Sequence, residues 1–397
     1  MTDLNSIYTC IEEKELVEIC SELISIPSHF QVPNQEREIS TFVSDTLTNI
    51  GVEVEEQKVK NGRFNVIAKI RGDDNGRSFA LNGHLDTVPP GENMDTPYTA
   101  TLKDGRLYGR GSCDMKGALG AMIYTLRLIK EHGISLGGDL YLTAVVGEET
   151  GGTGTRHLTE HGFRPDFAIV GEPTDLKIVT SHKGVCNIMV TVQGKPCHAS
   201  TPENGANAIV AVSDFIQLLN SRLLPQLEKR TQERAGHASL NFGIIEGGTK
   251  INMVADRCSL QIDRRWVRGE TLGQVISEIK ELVNEVCKKD PNLSAEVQLM
   301  YPETHYYGPF VTDEKHEIVQ LIIKALKAMG IKVSIAGMQG WTDAATFFNS
   351  GISVVLLGPG SIQQAHTNDE WVSVSQLTDS VRYYLSIINT ICGMSTA

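Results

Sequence analysis

At 397 residues the chain is longer than one ordinary hydrophobic core can serve, so two domains are expected. The composition is that of a globular protein, 41% hydrophobic and 21% charged; no apolar run is long enough to span a bilayer, and the acidic start lacks the basic and apolar regions of an export signal. A net charge of −12 without a basic tract argues against nucleic-acid and membrane partners, and eight scattered cysteines with no C-x-x-C pair read as the reduced thiols of a cytoplasmic protein.

Residues 13–25 and 35–50 read as helices, the second stopped by Gly51. Segments 52–59 and 64–70 alternate or are β-branched and read as strands, and 78–82 is a short buried strand running into His84-x-Asp86. Ala118, Leu119, Met122, Ile123, Leu126 and Ile129 recur at helical spacing in a long helix over 115–132, with Asp114 at its mouth. Strands at 140–146 and 166–170 flank a helix at 154–161; the first leads to Glu148-Glu149 and the second to Glu172. Strands alternating with helices imply an α/β layer built on a largely parallel sheet.

The rhythm then changes to strand 185–193, helix 206–219, strands 238–245 and 256–263, helix 272–286 and strand 293–299. That β-α-β-β-α-β order is the ferredoxin-like module. It predicts an inserted domain at 182–299 between two parts of a first domain, 1–181 and 300–397, with hinges near 180 and 300. The first pattern resumes with helix 313–329, strand 332–335, the segment 344–349, strand 353–357 leading to His366, and a closing helix at 375–391.

Ligands of open α/β sheets gather at the carboxyl ends of strands, where His84, Glu148, Glu149, Glu172 and His366 are all predicted to lie. Singly, each has an ordinary reading: a loop histidine, a helix N-cap for Asp114, a solvated turn acid for Glu172. Jointly, two imidazoles and three carboxylates are what two neighbouring divalent cations need, with one carboxylate shared and another left over as a base. Asp86 stands where a carboxylate can fix the tautomer of a ligating His84. Two adjacent acids at the end of an apolar strand repel unless cations are close, and one can then ligate while the other takes a proton from water. Cys113 is read as a packing residue, and the Gly-rich 151–157 stretch lacks the Lys-Ser/Thr of a phosphate loop.

The segments GHLDTVPP, YGRGSCDMKG, GEETGG, GEPT, HKG, CHASTPENGANAI, GGTKINMVAD and LGPGSIQQAHTNDE together resemble the M20 metallopeptidases. This dinuclear zinc group includes acetylornithine deacetylase, succinyl-diaminopimelate desuccinylase, aminoacylases and glutamate carboxypeptidase. The resemblance runs from about residue 15 to the final helix. It implies a zinc-peptidase-like catalytic domain with a largely parallel mixed sheet and an inserted ferredoxin-like lid and dimerisation domain. It implies His84 and Glu172 on one metal, Glu149 and His366 on the other, Asp114 bridging, Asp86 orienting His84, and Glu148 as general base then acid. His198 would reach the partner subunit's site and steady the oxyanion, which implies a homodimer. Asn252 and Arg265 match positions that contact the substrate's polar end, and an arginine fork suits a carboxylate.

The expected activity is metal-dependent hydrolysis of the amide bond of a small N-acyl amino acid, through water held between two divalent cations. Zinc suits the ligand set, and cobalt and manganese remain open. An exopeptidase, dipeptidase or carboxypeptidase acting on a short peptide is the alternative, since GWTDAATF resembles the desuccinylase and carboxypeptidase branch whereas LGPGSIQQAH resembles the acetylornithine one. Arg264, Trp266 and Arg268 add bulk and charge where relatives carry a plainer turn. A metal-binding paralogue without turnover would lack the base or a ligand, and none is missing here.

Overall fold

The computed structural model describes residues 4–300 and 308–396. The chain divides into two compact units: one runs to Thr180 and continues through Thr312–Ala336 and from Thr342 onward, the other comprises Ser181–Val311 and Gly337–Trp341. The second hinge expected near 300 abuts 301–307, which lie outside the described residues.

The first unit is built on a mixed sheet ordered Glu53–Lys58, Phe64–Ile70, Leu140–Val145, Phe79–His84, Phe167–Val170, Ser353–Leu356 and the first residues of Ile178–His182. Its four central strands, from Leu140–Val145 to Ser353–Leu356, are parallel, while the flanking pairs are antiparallel. Central strands are covered on both faces, so they are buried along their length: every residue of Phe79–His84, the polar Asn82 and His84 included, and of the apolar Phe167–Val170 is buried. Helices Glu13–Ser25, Gly117–Glu131, Glu317–Ala328 and Val374–Cys392 share one core with the sheet. Gly117–Glu131 is enclosed almost all round, which is why its small and apolar residues extend beyond a single stripe.

Three expectations need adjustment. The long helix begins at Gly117, not 115, because Asp114 (φ −126°, ψ 96°) and Met115 (φ −130°, ψ 37°) are non-helical and joined by a cis peptide. The strand placed at 332–335 lies at Ile335–Met338; residues 331–334 are occupied in closing the preceding helix, where Ile331 donates to the Leu326 carbonyl, and in bonding Ser334 to Ile178. The strand placed at 78–82 runs on to His84, which therefore ends it rather than following it. Short strands at Thr101–Lys103, Arg106–Tyr108 and Trp371–Ser373 form a small sheet that no apolar periodicity announces.

In the second unit, strands Gly184–Gln193, Ser239–Gly247, Arg257–Trp266 and Ser294–Leu299 form one antiparallel sheet. Taken in chain order as first to fourth, they lie second-third-first-fourth across it, the ferredoxin-like arrangement. Residues along Arg257–Trp266 alternate between buried and half-buried, so one face packs on helices Ala208–Leu218 and Leu272–Cys287 and the other stays polar. Asn207 caps the first helix, and a Thr271–Gln274 capping box starts the second.

Candidate metal centre

The four parallel strands end together, and the chain turns sharply at each end. His84 is the last residue of its strand and pairs with Val145, so the turn 147–149 follows immediately beside it. Gly147 has φ +72°, and a Cβ there would stand 2.6 Å from the Arg63 guanidinium. Only glycine therefore lets this turn bring Glu148 and Glu149 back over the strand ends. Glu172 follows its strand by two residues, and His366 comes from the loop after Ser353–Leu356.

Five of these side chains converge in two triplets. His84, Asp114 and Glu172 offer ligand atoms within 4.8 Å of one another, and so do Asp114, Glu149 and His366. Asp114 belongs to both: its Oδ1 lies 3.0 Å from His84 Nε2 and its Oδ2 3.3 Å from His366 Nε2. His366 Nε2 is also 3.1 Å from Glu149 Oε1, and His84 Nε2 is 4.0 Å from Glu172 Oε1.

Asp86 sits differently from expectation. The main-chain carbonyl of Asp86 takes His84 Nδ1 at 2.9 Å, while its carboxylate is 3.7 Å from that nitrogen. The carboxylate instead accepts the Glu148 and Glu149 amides at 3.1 and 3.0 Å. The reversed turn exposes two N–H groups that need a buried acceptor, and Asp86 is the nearest one. His84 still gains a fixed tautomer, since a carbonyl only accepts, so Nδ1 carries the proton and Nε2 faces Asp114.

Glu370 went unread in the sequence. It is 1% exposed, and its carboxylate accepts the amides of Gly111, Cys113 and Asp114 at 2.9–3.0 Å and Arg110 Nη1 at 2.6 Å. The irregular backbone around Asp114 is thus held by an acid 256 residues away. In the sequence Glu370 is only the end of a polar AHTNDE stretch, with nothing to signal burial. Asp343, 1% exposed, is the other unread acid: Thr155 Oγ1 donates to it at 2.7 Å, and its second oxygen accepts no hydrogen bond among the described residues.

Burial, then Glu172, pushes Glu148 well above the ordinary carboxylate range, and burial, then Asp114, does the same to Glu172. Glu149 is raised by burial against the pull of His366. Burial also opposes the charge on Asp114, but the two imidazoles outweigh it and hold its carboxyl low. His366 is raised to about 10, first by Asp114 and then by Glu149. More buried carboxylates than imidazoles meet here, and Glu172 Oε1 accepts no hydrogen bond among the described residues. Two divalent cations fit that surplus of negative charge and lone pairs, with Glu148 beside the set but outside both triplets.

The remaining predicted residues lie on the second unit. His198 is exposed and bridges to Met253; its Nδ1 is 2.7 Å from Ser200 Oγ and accepts the Ser200 amide at 3.2 Å. Asn252, also exposed, takes the Ala199 amide on its carbonyl at 3.1 Å, so these two share one corner of the unit. Arg265 stands on the polar sheet face, gripped by Asp263 through two bonds of 2.7 and 2.9 Å.

Among the described residues no helix is long and apolar enough to cross a membrane. Over 388 residues the chain is 32% identical to the acetylornithine deacetylase of Proteus mirabilis (strain HI4320), covering 95% of this chain and 96% of that one. It is 28% identical to the N-formyl-4-amino-5-aminomethyl-2-methylpyrimidine deformylase of Bacillus subtilis (strain 168), over 98% and 97% of the two chains. The solved structure of aminopeptidase PepT from Bacillus cereus ATCC 10987 superposes with a TM-score of 0.79 at 25% identity, over 96% of this chain and 99% of the other. Residues 80–390, which hold every member of the two ligand triplets, match the model of peptidase family M20/M25/M40, and the chain belongs to that family of metal-dependent hydrolases of amide and peptide bonds.

Proposed function

We propose that the chain releases an amine or amino acid from a small N-acyl substrate, with Glu148 shuttling the proton. The observation that carries this reading is a buried carboxylate of raised proton affinity beside two ligand triplets that share Asp114. His84 and Glu172 would hold one divalent cation, Glu149 and His366 the other, and Asp114 both; zinc is the proposed ion. When bound, the pair supplies Lewis acidity and makes water easier to deprotonate. Glu148 accepts the proton of the attacking water and returns it to the departing nitrogen, which needs a group basic enough to take it and acidic enough to give it back. Asp86 fixes the Glu148 amide and so the direction of its side chain.

His198 and a homodimer belong to the same proposal. Because Nδ1 accepts from Ser200, the neutral ring keeps its proton on Nε2, free to donate to a developing oxyanion. The strand Ser239–Gly247 is a sheet edge, and Ile244, Ile245, Ile251, Met253, Ile209 and Val210 are exposed on this unit. Such apolar exposure supports a second copy as partner. Arg265 would hold the substrate's carboxylate and Asn252 its polar end. The cysteines are free thiols, six of the eight buried, in keeping with a reducing cytoplasm.

The second reading, an exopeptidase, is supported by the fold shared with aminopeptidase PepT. A panel of N-acetyl, N-succinyl and N-formyl amino acids and dipeptides, read by amine release from metal-loaded protein, separates the two. Turnover confined to dipeptides would replace the deacylase reading, and turnover of neither class would remove both.

A further inference from the structure

Helix Thr153–Glu160 ends in the run His157-Leu158-Thr159-Glu160-His161, which no step of the proposed chemistry uses. Residues four apart on a helix stand one above the other. The two imidazoles are in contact, ring centroids 3.8 Å apart and planes inclined by 31°. His161 Nδ1 lies 2.8 Å from the His157 carbonyl. A carbonyl can only accept, so His161 spends its N–H on the backbone and keeps a bare lone pair on Nε2, beside the neutral His157 ring, which carries one lone pair of its own. This is how ligating histidines are usually held: one nitrogen donates to a carbonyl, which fixes the ring and tautomer and leaves the other for the metal. Burial, and next the charge of His161, also pull the His157 proton affinity below its ordinary value. Glu160, exposed and adjacent to His161, acts on His157 in the opposite sense and adds negative charge beside the pair.

We propose that His157 and His161 form a second cation site, separate from the Asp114 cluster, for a late first-row divalent ion, with zinc as the occupant. Imidazole suits such ions, and paired histidines at this spacing on one helix face are a known chelate. Among the described residues no third protein ligand joins the pair, so water completes the coordination. Such a site is open and exchangeable. An ion held by both rings needs the helix to place them side by side, and a ligand that binds only the folded chain stabilises it.

The test is equilibrium dialysis of the whole protein against micromolar free zinc, followed by elemental analysis, for the wild type and for His161→Asn and His157→Asn. Wild type is expected to hold one more zinc per chain than either variant, and added zinc to raise the melting temperature of wild type alone. Since the quantity read is a difference between proteins, it does not depend on what the Asp114 cluster holds. Should His157→Asn fold poorly, the exposed His161→Asn decides. In addition, zinc is expected to shift the ring signals of both histidines in nitrogen-edited NMR spectra. Equal zinc content in wild type and His161→Asn, or ring signals unmoved by zinc, would overturn the proposal.

Discussion

The two units keep their polar residues in opposite ways. In the first, Glu148, Asp114 and Glu172 are buried: the amides of Glu148 and Asp114 are tied to the distant acids Asp86 and Glu370, and His84 stands beside the carboxylates of Asp114 and Glu172. In the second, His198 and Asn252 are exposed, and Arg265 is held by its neighbour Asp263 on the same sheet face. A buried acid must be compensated from several chain segments, so its surroundings are over-determined. An exposed one needs only a local partner. Substitutions in the first unit should therefore change chemistry or folding outright, whereas those in the second should grade binding.

The largest effect is expected at Glu148. Glu148→Gln keeps the shape and removes the proton acceptor, and turnover should fall by roughly 10²–10⁴ while metal content stays at the wild-type value. Steady-state rates and elemental analysis on the same samples check this. Near-wild-type turnover would remove Glu148 from its assigned role.

Glu370→Gln comes next. The substitution leaves the buried Arg110 without its counter-charge and turns an amide NH2 either toward the Cys113 and Asp114 amides or toward the Gly111 amide and Arg110 itself. Breaking a buried pair from one side costs about 3–5 kcal/mol, readable as a lower urea midpoint. A loss below about 1 kcal/mol would mean that the Asp114 loop is held by something else.

How far the sequence went follows the same division. The acids that end parallel strands were legible because an apolar run followed by a carboxylate or imidazole is a local pattern, and glycines mark the turns. The cooperation of Asp114 with Glu370 was not legible, because an acid at the end of AHTNDE looks solvated until the fold brings distant amides onto it. Asp86 was found, but its main bonds were not: the sequence shows its spacing from His84 and hides the reversal at Gly147 that presents two amides to it. In the second unit, the period-two alternation along Arg257–Trp266 made the sheet readable, yet nothing local distinguishes Arg265 from any other surface arginine. Only the family resemblance singled out Arg265, Asn252 and His198.

Arg265→Met tests that weaker assignment. Hydrogen bonds to a charged group contribute about 1.5–3 kcal/mol, so KM for a substrate bearing a carboxylate should rise roughly tenfold to a hundredfold, with kcat and metal content little changed. An equal rise for a substrate lacking the carboxylate would show that the residue serves the sheet rather than the ligand.

The smallest effect sharpens the comparison through two buried lysines. Lys116 is fully enclosed in the first unit and donates to the Ile26 carbonyl at 2.6 Å; Lys183, 6% exposed in the second, donates to the His237 carbonyl at 3.2 Å. Burial pulls Lys116 from 10.5 to about 7 against the attraction of Glu370 and Asp86, and burial, then Arg265, lowers Lys183 too. Below about pH 7 both the folded and the unfolded chain carry the Lys116 proton; between there and 10.5 only the unfolded chain does. The unfolded state then binds more protons, so this group makes stability rise with pH across that window, by at most about 1.4 kcal/mol for each pH unit. In Lys116→Met the rise should flatten whatever happens to the baseline, and in Lys183→Met it should flatten less. Urea unfolding at pH 7, 8 and 9 reads the slopes. If Lys116→Met keeps the wild-type slope, Lys116 stays charged in the fold, and the acids around Asp114 would then have a permanent cation in their midst.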